Sequence, residues 1–113
     1  VKTGDRAELI AAAYLQNKGL DLLESRYRCR WGEIDLILRD RETVVFAEVR
    51  LRQSNTFGGA AYSVDARKQA RIIATARHYL AATREAAACR FDVVLLERIE
   101  PPRIEWIRDA FSA

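Results

Sequence analysis

Asp35 and Glu48 stand out chemically because of the pattern that carries them. Residues 32–52 read GEIDLILRDRETVVFAEVRLR. Glu33, Asp35 and Ile37 alternate with Ile34, Leu36 and Leu38, and Phe46, Glu48, Arg50 and Arg52 alternate with Val45, Ala47, Val49 and Leu51. Alternation of this period, rich in β-branched residues, predicts two strands, with Asp40-Arg41-Glu42-Thr43 as a short polar turn. A hairpin centred on Arg41-Glu42 places Asp35 opposite Glu48 and Glu33 opposite Arg50. Facing Cβ atoms in an antiparallel pair lie about 5 Å apart. Two carboxylates at that separation repel by about 3 kcal/mol at an effective dielectric of about 20. A sheet built only for stability gains by avoiding this pair. A divalent cation between the acids turns the cost into a site. Mg²⁺ is commonly held by one or two carboxylates plus waters and phosphate oxygens, and the Val49 carbonyl is placed to add a ligand.

An Asp on one strand followed by Glu-X-basic on the next resembles the motif of the PD-(D/E)XK nucleases. The chain is more closely similar to the YraN family of small bacterial proteins. The stretches that carry this likeness are GDRAELIAAAYLQNKG, GEIDLIL, FAEVR, FGGAAYSV, RKQAR, ATARHYL and RFDVVLL, which together run over most of the chain. GEIDLI followed by an acid-hydrophobic-basic triplet is the specific part, since the bare acid spacing recurs widely. Archaeal Holliday-junction resolvases have a similar size and motif order. The resemblance implies a restriction-endonuclease-like αβββαβ core of the α/β class. It implies that Asp35 and Glu48 bind metal, that Glu8 on the first helix completes the shell, and that Lys68 contacts the phosphate region. Arg50 stands where the family pattern has lysine. An arginine stays protonated and its planar fork differs from a compact ammonium, so the departure bears on cleavage more than on fold or metal.

The elements that must position these residues follow from the rest of the chain. At 113 residues, half of them hydrophobic and 31% charged, the sequence fits one globular domain over residues 1–113 with a real core. A first helix is expected after Thr3 as N-cap, with Asp5 in its first turn and Ala7, Ile10, Ala11, Tyr14 and Leu15 as its apolar stripe, closing at Gly19. Glu8 flanks that stripe, either as an exposed acid or at the rim of the metal site. Residues 20–31 read as a strand in which Leu23, Tyr27, Cys29 and Trp31 alternate with Glu24, Arg26, Arg28 and Arg30. Its basic row either guards a sheet edge or meets nucleic acid. Gly32 permits the turn into the hairpin. The segment QSNTFGGAAYS is a loop whose Phe57 and Tyr62 either pack beneath it or stack on a base.

Ser63 or Asp65 caps a second helix running to about Ala87, with Ile72, Ile73, Ala76, Tyr79 and Leu80 facing the core. Arg67 and Arg71 share a face, with Lys68 beside them. Residues 90–97 form a strand buried on both faces, parallel to its neighbour through the helix. Pro101-Pro102 breaks the chain before an edge strand near Arg103–Arg108. The sum is a mixed sheet flanked by helices. His78 has no Cys or His at a zinc-ligand spacing and is read as a helix-surface or core residue. Cys29 and Cys89 are expected as buried free thiols.

Charge narrows the function. The net charge is +3, but residues 50–71 carry five basic residues against one acid, and residues 92–113 carry three against five. A positive excess next to paired acids suits a polyanion read through a metal. A solvated basic helix face is the plain alternative. No run approaches 18 apolar residues, no signal-peptide pattern opens the chain, and no GxxxxGK[ST] loop is present. The expectation is a cytoplasmic protein that acts without membrane or nucleotide cofactor. The leading reading is a Mg²⁺- or Mn²⁺-dependent DNA endonuclease for branched or structured DNA, with Glu8, Asp35, Glu48, Arg50 and Lys68 in its site and Arg52, Arg67, Lys68 and Arg71 on the DNA. A DNA repair or recombination role and a homodimer follow by analogy with junction enzymes alone. The alternatives are a nucleic-acid-binding module impaired at Arg50, and a protein-interaction subunit whose acids only form ion pairs.

Overall fold

The computed structural model describes residues 3–51, 64–85 and 87–113, with Thr3 and Gly4 by backbone alone. The order is α1 (Thr3–Asn17), β1 (Asp21–Cys29), β2 (Gly32–Asp40), β3 (Thr43–Leu51), α2 (Ala66–Thr83), β4 (Ala88–Arg98) and β5 (Arg103–Phe111). One mixed sheet runs β1-β2-β3-β4-β5, parallel only between β3 and β4, the pair that α2 connects. This is the expected α/β arrangement, an αβββαβ core extended by β5.

The helices cover opposite faces. Ala7, Ala11, Ala12 and Leu15 of α1 pack with Leu36, Leu38, Val45, Ala47, Val94 and Leu96. Ile72, Ala76 and Tyr79 of α2 pack with Ile34, Ile37, Val44, Phe46, Phe91 and Val93. Strand β4 is therefore apolar on both sides, as its sequence reads. Gly19 ends α1 at φ +98, beside the Leu20 N–H bonded to the Leu15 carbonyl at 3.1 Å. Asp65 caps α2, its carboxylate accepting the Lys68 N–H at 2.8 Å.

Several expectations need correction. Ile34 was expected on the face of Leu36 and Leu38 but packs on the α2 side. The β1–β2 ladder passes from Ser25↔Leu36 to Tyr27↔Ile34. Between them Arg26 takes φ 53, so the alternation changes phase at Arg26 and Asp35. A non-glycine residue there costs about 1 kcal/mol, and ion pairs from Arg26 to Asp5 and Glu8 hold it in place. The basic row of β1 is accordingly not free, since Arg28 also pairs with Glu33. Leu23 and Trp31 are exposed rather than packed.

Helix α2 stops at Thr83 because Arg84 turns left-handed (φ 57), a C-cap without the glycine that marks one in sequence. Thr3 is the first helical residue rather than the cap. Cys29 and Cys89 are free thiols as expected, but Cys89 is exposed and Cys29 only partly buried. Arg52, Ser63 and the loop with Phe57 and Tyr62 lie outside the described residues.

Asp92 is fully buried and ties β4 to β5. Its carboxylate accepts from Arg90 Nε, Trp106 Nε1 and the Asp109 N–H, while Arg90 also reaches Asp40 at the β2–β3 turn. Removing the acid leaves a half-buried guanidinium and an indole N–H without it. Asp92→Ala is expected to cost about 3–5 kcal/mol of folding stability, measured by urea denaturation. Asp109→Ala, which keeps the backbone donor, should stay within about 1 kcal/mol.

Candidate metal and phosphate cleft

The β2–β3 hairpin pairs Asp40↔Thr43 through Leu36↔Ala47, the register expected from its turn, and the ladder goes no further. Beyond it β2 remains paired with β1 as far as Cys29↔Gly32, while β3 remains paired with β4 as far as Leu51↔Leu96. The sheet therefore splits between β2 and β3. Asp35 and Glu48 sit on the two sides of the split, rather than as a closed ladder pair. The Asp35 carboxylate bridges it, accepting the Val49 N–H at 2.8 Å.

The opening is a cleft of about 250 Å³ lined by Gly32, Glu33, Asp35, Glu48, Lys68, Arg71 and Ile72. Two roomier hollows lie elsewhere. One, of about 450 Å³, runs between α1 and β1, and another, of about 710 Å³, lies by the β2–β3 turn. Neither is lined by Asp35 or Glu48, and size alone does not pick out the chemistry.

Glu48 is 3% exposed. One carboxylate oxygen meets Lys68 Nζ at 3.2 Å, and the other, Oε2, is buried with no hydrogen-bond partner among the described residues. Burial pushes its pKa up to about 7, the Asp35 charge adds to that, and Lys68 and Arg50 oppose it. Asp35 is raised too, chiefly by burial, against the Val49 N–H and the Lys68 charge. Arg50 acts electrostatically on both acids, and its Nε is likewise buried without a partner. Desolvated like charges that lean on one another are characteristic of functional sites.

The arrangement brings together Asp35, Glu48, Lys68 and Arg71, with Arg50 in their field. Val49 contributes an observed N–H contact to Asp35. Glu8 feels the Asp35 and Glu33 charges, which with burial raise its pKa, but its carboxylate is held by Arg26 at 2.8 Å. It lines the α1 hollow rather than the cleft. Arg67 is exposed in the first turn of α2 and does not line the cleft. Gly32 and Glu33 do line it and were not assigned there from sequence, although they open the GEIDL stretch itself. Among the described residues, no three Asp, Glu, His or Cys side chains form a complete metal shell.

A family model described as "Uncharacterised protein family UPF0102" matches residues 7–96. The chain belongs to this family, the YraN family. A UPF0102 protein of Nitrosomonas europaea is 58% identical over 96% of this chain and 92% of its own length. UPF0102 proteins of Methylobacillus flagellatus and Nitrosospira multiformis are 50% and 51% identical over 97% and 96% of this chain, and over 96% and 92% of their own lengths. The likeness to these UPF0102 proteins thus spans both sides of the split sheet and the helix that carries Lys68.

A carboxylate with a raised pKa binds its proton more tightly folded than unfolded, so its contribution to stability is present at low pH and lost as pH rises. For Glu48 the window is from about 4.5 to about 7, worth about 3 kcal/mol at 1.36 kcal/mol per unit. Without divalent cation, native folding stability should fall across that window by about this much relative to Glu48→Gln. Urea melts of both proteins at several pH values check it.

Proposed function

We propose that this chain is a metal-dependent DNA endonuclease acting on branched or otherwise structured DNA. The observation that carries the reading is Glu48 Oε2, a buried carboxylate oxygen with no hydrogen-bond partner among the described residues, across a split sheet from Asp35 and in a cleft rimmed by Lys68 and Arg71. The donor set fits a hard divalent cation such as Mg²⁺ or Mn²⁺. Two carboxylates, with the Val49 carbonyl beside them, are the protein share such an ion takes when water and phosphate oxygens supply the rest. When bound, the ion would polarise a phosphate and lower the pKa of an attacking water.

The chain's own residues account for the remainder. Asp35 keeps its orientation through the Val49 N–H. Lys68 and Arg50 place fixed positive charge where a phosphate gains negative charge, in a site whose low exposure strengthens the effect. Arg71 and Arg67, on the same helix end, and Arg52 contact flanking phosphates. Glu8 stands in reserve at the α1 side, released to the ion only if Arg26 lets it go. A homodimer would match a two-fold substrate such as a four-way junction.

Arg50 favours a second reading, a nucleic-acid-binding module without turnover. Its guanidinium stays protonated and is no base, although it lies beside both acids.

Labelled single-stranded, duplex, flapped and four-way DNAs, incubated with Mg²⁺ or Mn²⁺, separate the readings. Native protein should cleave at least one form, and Asp35→Ala and Glu48→Ala should abolish it. Lys68→Ala should slow it about 10²-fold. Activity gained only in Arg50→Lys selects the binding module. Silence from every protein, with no DNA bound, rejects both readings and leaves a protein-interaction subunit.

A further inference from the structure

Trp31 is a large aromatic residue left 47% exposed, next to the cleft but not part of it. It shares with Arg30 the two-residue link between β1 and β2, and the Arg30 guanidinium lies over its ring at 4.7 Å from the centroid. The other tryptophan differs. Trp106 is half-buried, stands edge-on to Tyr14 and spends its N–H on Asp92. Among the described residues, Trp31 has no such packing to explain it.

The link leads into a close approach to α2. Gly32, the next residue, sits at φ +149, and a Cβ there would meet Thr75 Oγ1 at 3.3 Å and Arg71 Cβ at 3.8 Å. The chain thus approaches α2 as closely as a glycine allows, on the helix face that carries Arg71. Trp31 therefore directly precedes a residue that lines the cleft beside Lys68 and Arg71. Trp31 and Asp35 are four residues apart in the chain, which bounds their separation at roughly 14 Å, a span of a few nucleotides.

We infer that the Arg30–Trp31 link is a stacking subsite for an unpaired DNA base, with the backbone of the same strand running across the Asp35–Glu48 cleft. This rests on the proposed nucleic-acid reading and names the structural feature that the substrate carries. The reason is chemical. The cations of the cleft meet phosphates, and phosphates do not report pairing. An exposed aromatic ring next to the cleft needs a base with a free face, which a gap, flap or junction offers and the interior of a duplex does not. Arg30 extends the platform by lying over the indole.

Fluorescence anisotropy in Ca²⁺ tests this, with a fully paired duplex and the same duplex carrying a short single-stranded gap. Trp31→Ala should weaken binding to the gapped DNA roughly tenfold and to the paired duplex less than about twofold. Trp31→Phe should recover most of the loss, which a folding defect would not allow. Tryptophan emission of the native chain should quench with gapped DNA and not with paired DNA. Equal losses on both DNAs, or no loss, overturn the subsite and leave the nuclease reading standing. Gap-selective binding that depends on Trp31, in a chain that cleaves nothing, supports the subsite and overturns turnover. Failure to bind either DNA overturns both.

Discussion

The contact between the Asp35 carboxylate and the Val49 N–H is the one on which the site depends. A backbone donor freed from a sheet ladder needs another acceptor. Where β2 and β3 part, a side chain supplies it, and the strands can separate without leaving that N–H orphaned. Each strand keeps its outer neighbour, β1 for β2 and β4 for β3, so the sheet opens locally while its margins stay closed. The same carboxylate that permits the opening faces the cleft it creates. Structural and chemical roles are joined in one residue.

The second consequence concerns charge. Glu48 is withdrawn from water beside Asp35, an arrangement that disfavours the ionised form of both. The cost is offset from the far side of the cleft. Asp65 caps α2 through the Lys68 N–H at 2.8 Å, and the Lys68 side chain reaches Glu48. One residue thus anchors the helix start by its backbone and the acid by its ammonium. The offset is partial, because Glu48 Oε2 has no hydrogen-bond partner among the described residues. A protein selected only for stability would pair or replace a buried carboxylate, and the proposed cation is what would meet that oxygen.

The sequence made legible what depends on period and turn. The alternation in residues 32–52 gives both strands, and the short turn at Arg41-Glu42 gives their register, since a hairpin's loop length sets its pairing. The helical stripes give both helices. What it concealed depends on tertiary contacts. The phase change at Arg26 is written in no turn residue, because an arginine adopts the positive φ and distant acids on α1 hold it there. The C-cap at Arg84 is hidden too, because an arginine and not a glycine takes the left-handed turn. Glu8 reads as part of the site by resemblance, yet Arg26 claims its carboxylate. The close approach of Gly32 to Thr75 cannot be seen in either residue alone.

The arginine at position 50 changes meaning once Lys68 is placed. On β3, Arg50 follows Glu48 on the same face, which is the position that the motif's lysine would hold. Its charge reaches both acids, but its Nε is buried with no hydrogen-bond partner among the described residues. The hydrogen-bonded cation on Glu48 is instead the ammonium of Lys68, delivered from the opposite side by a capped helix. An ammonium is a compact point charge, whereas a guanidinium is a planar fork. The departure from the strand motif is therefore not the loss of an ammonium from the cleft. It moves the hydrogen-bonded cation from the strand to the helix, while Arg50 adds its charge to both acids from β3.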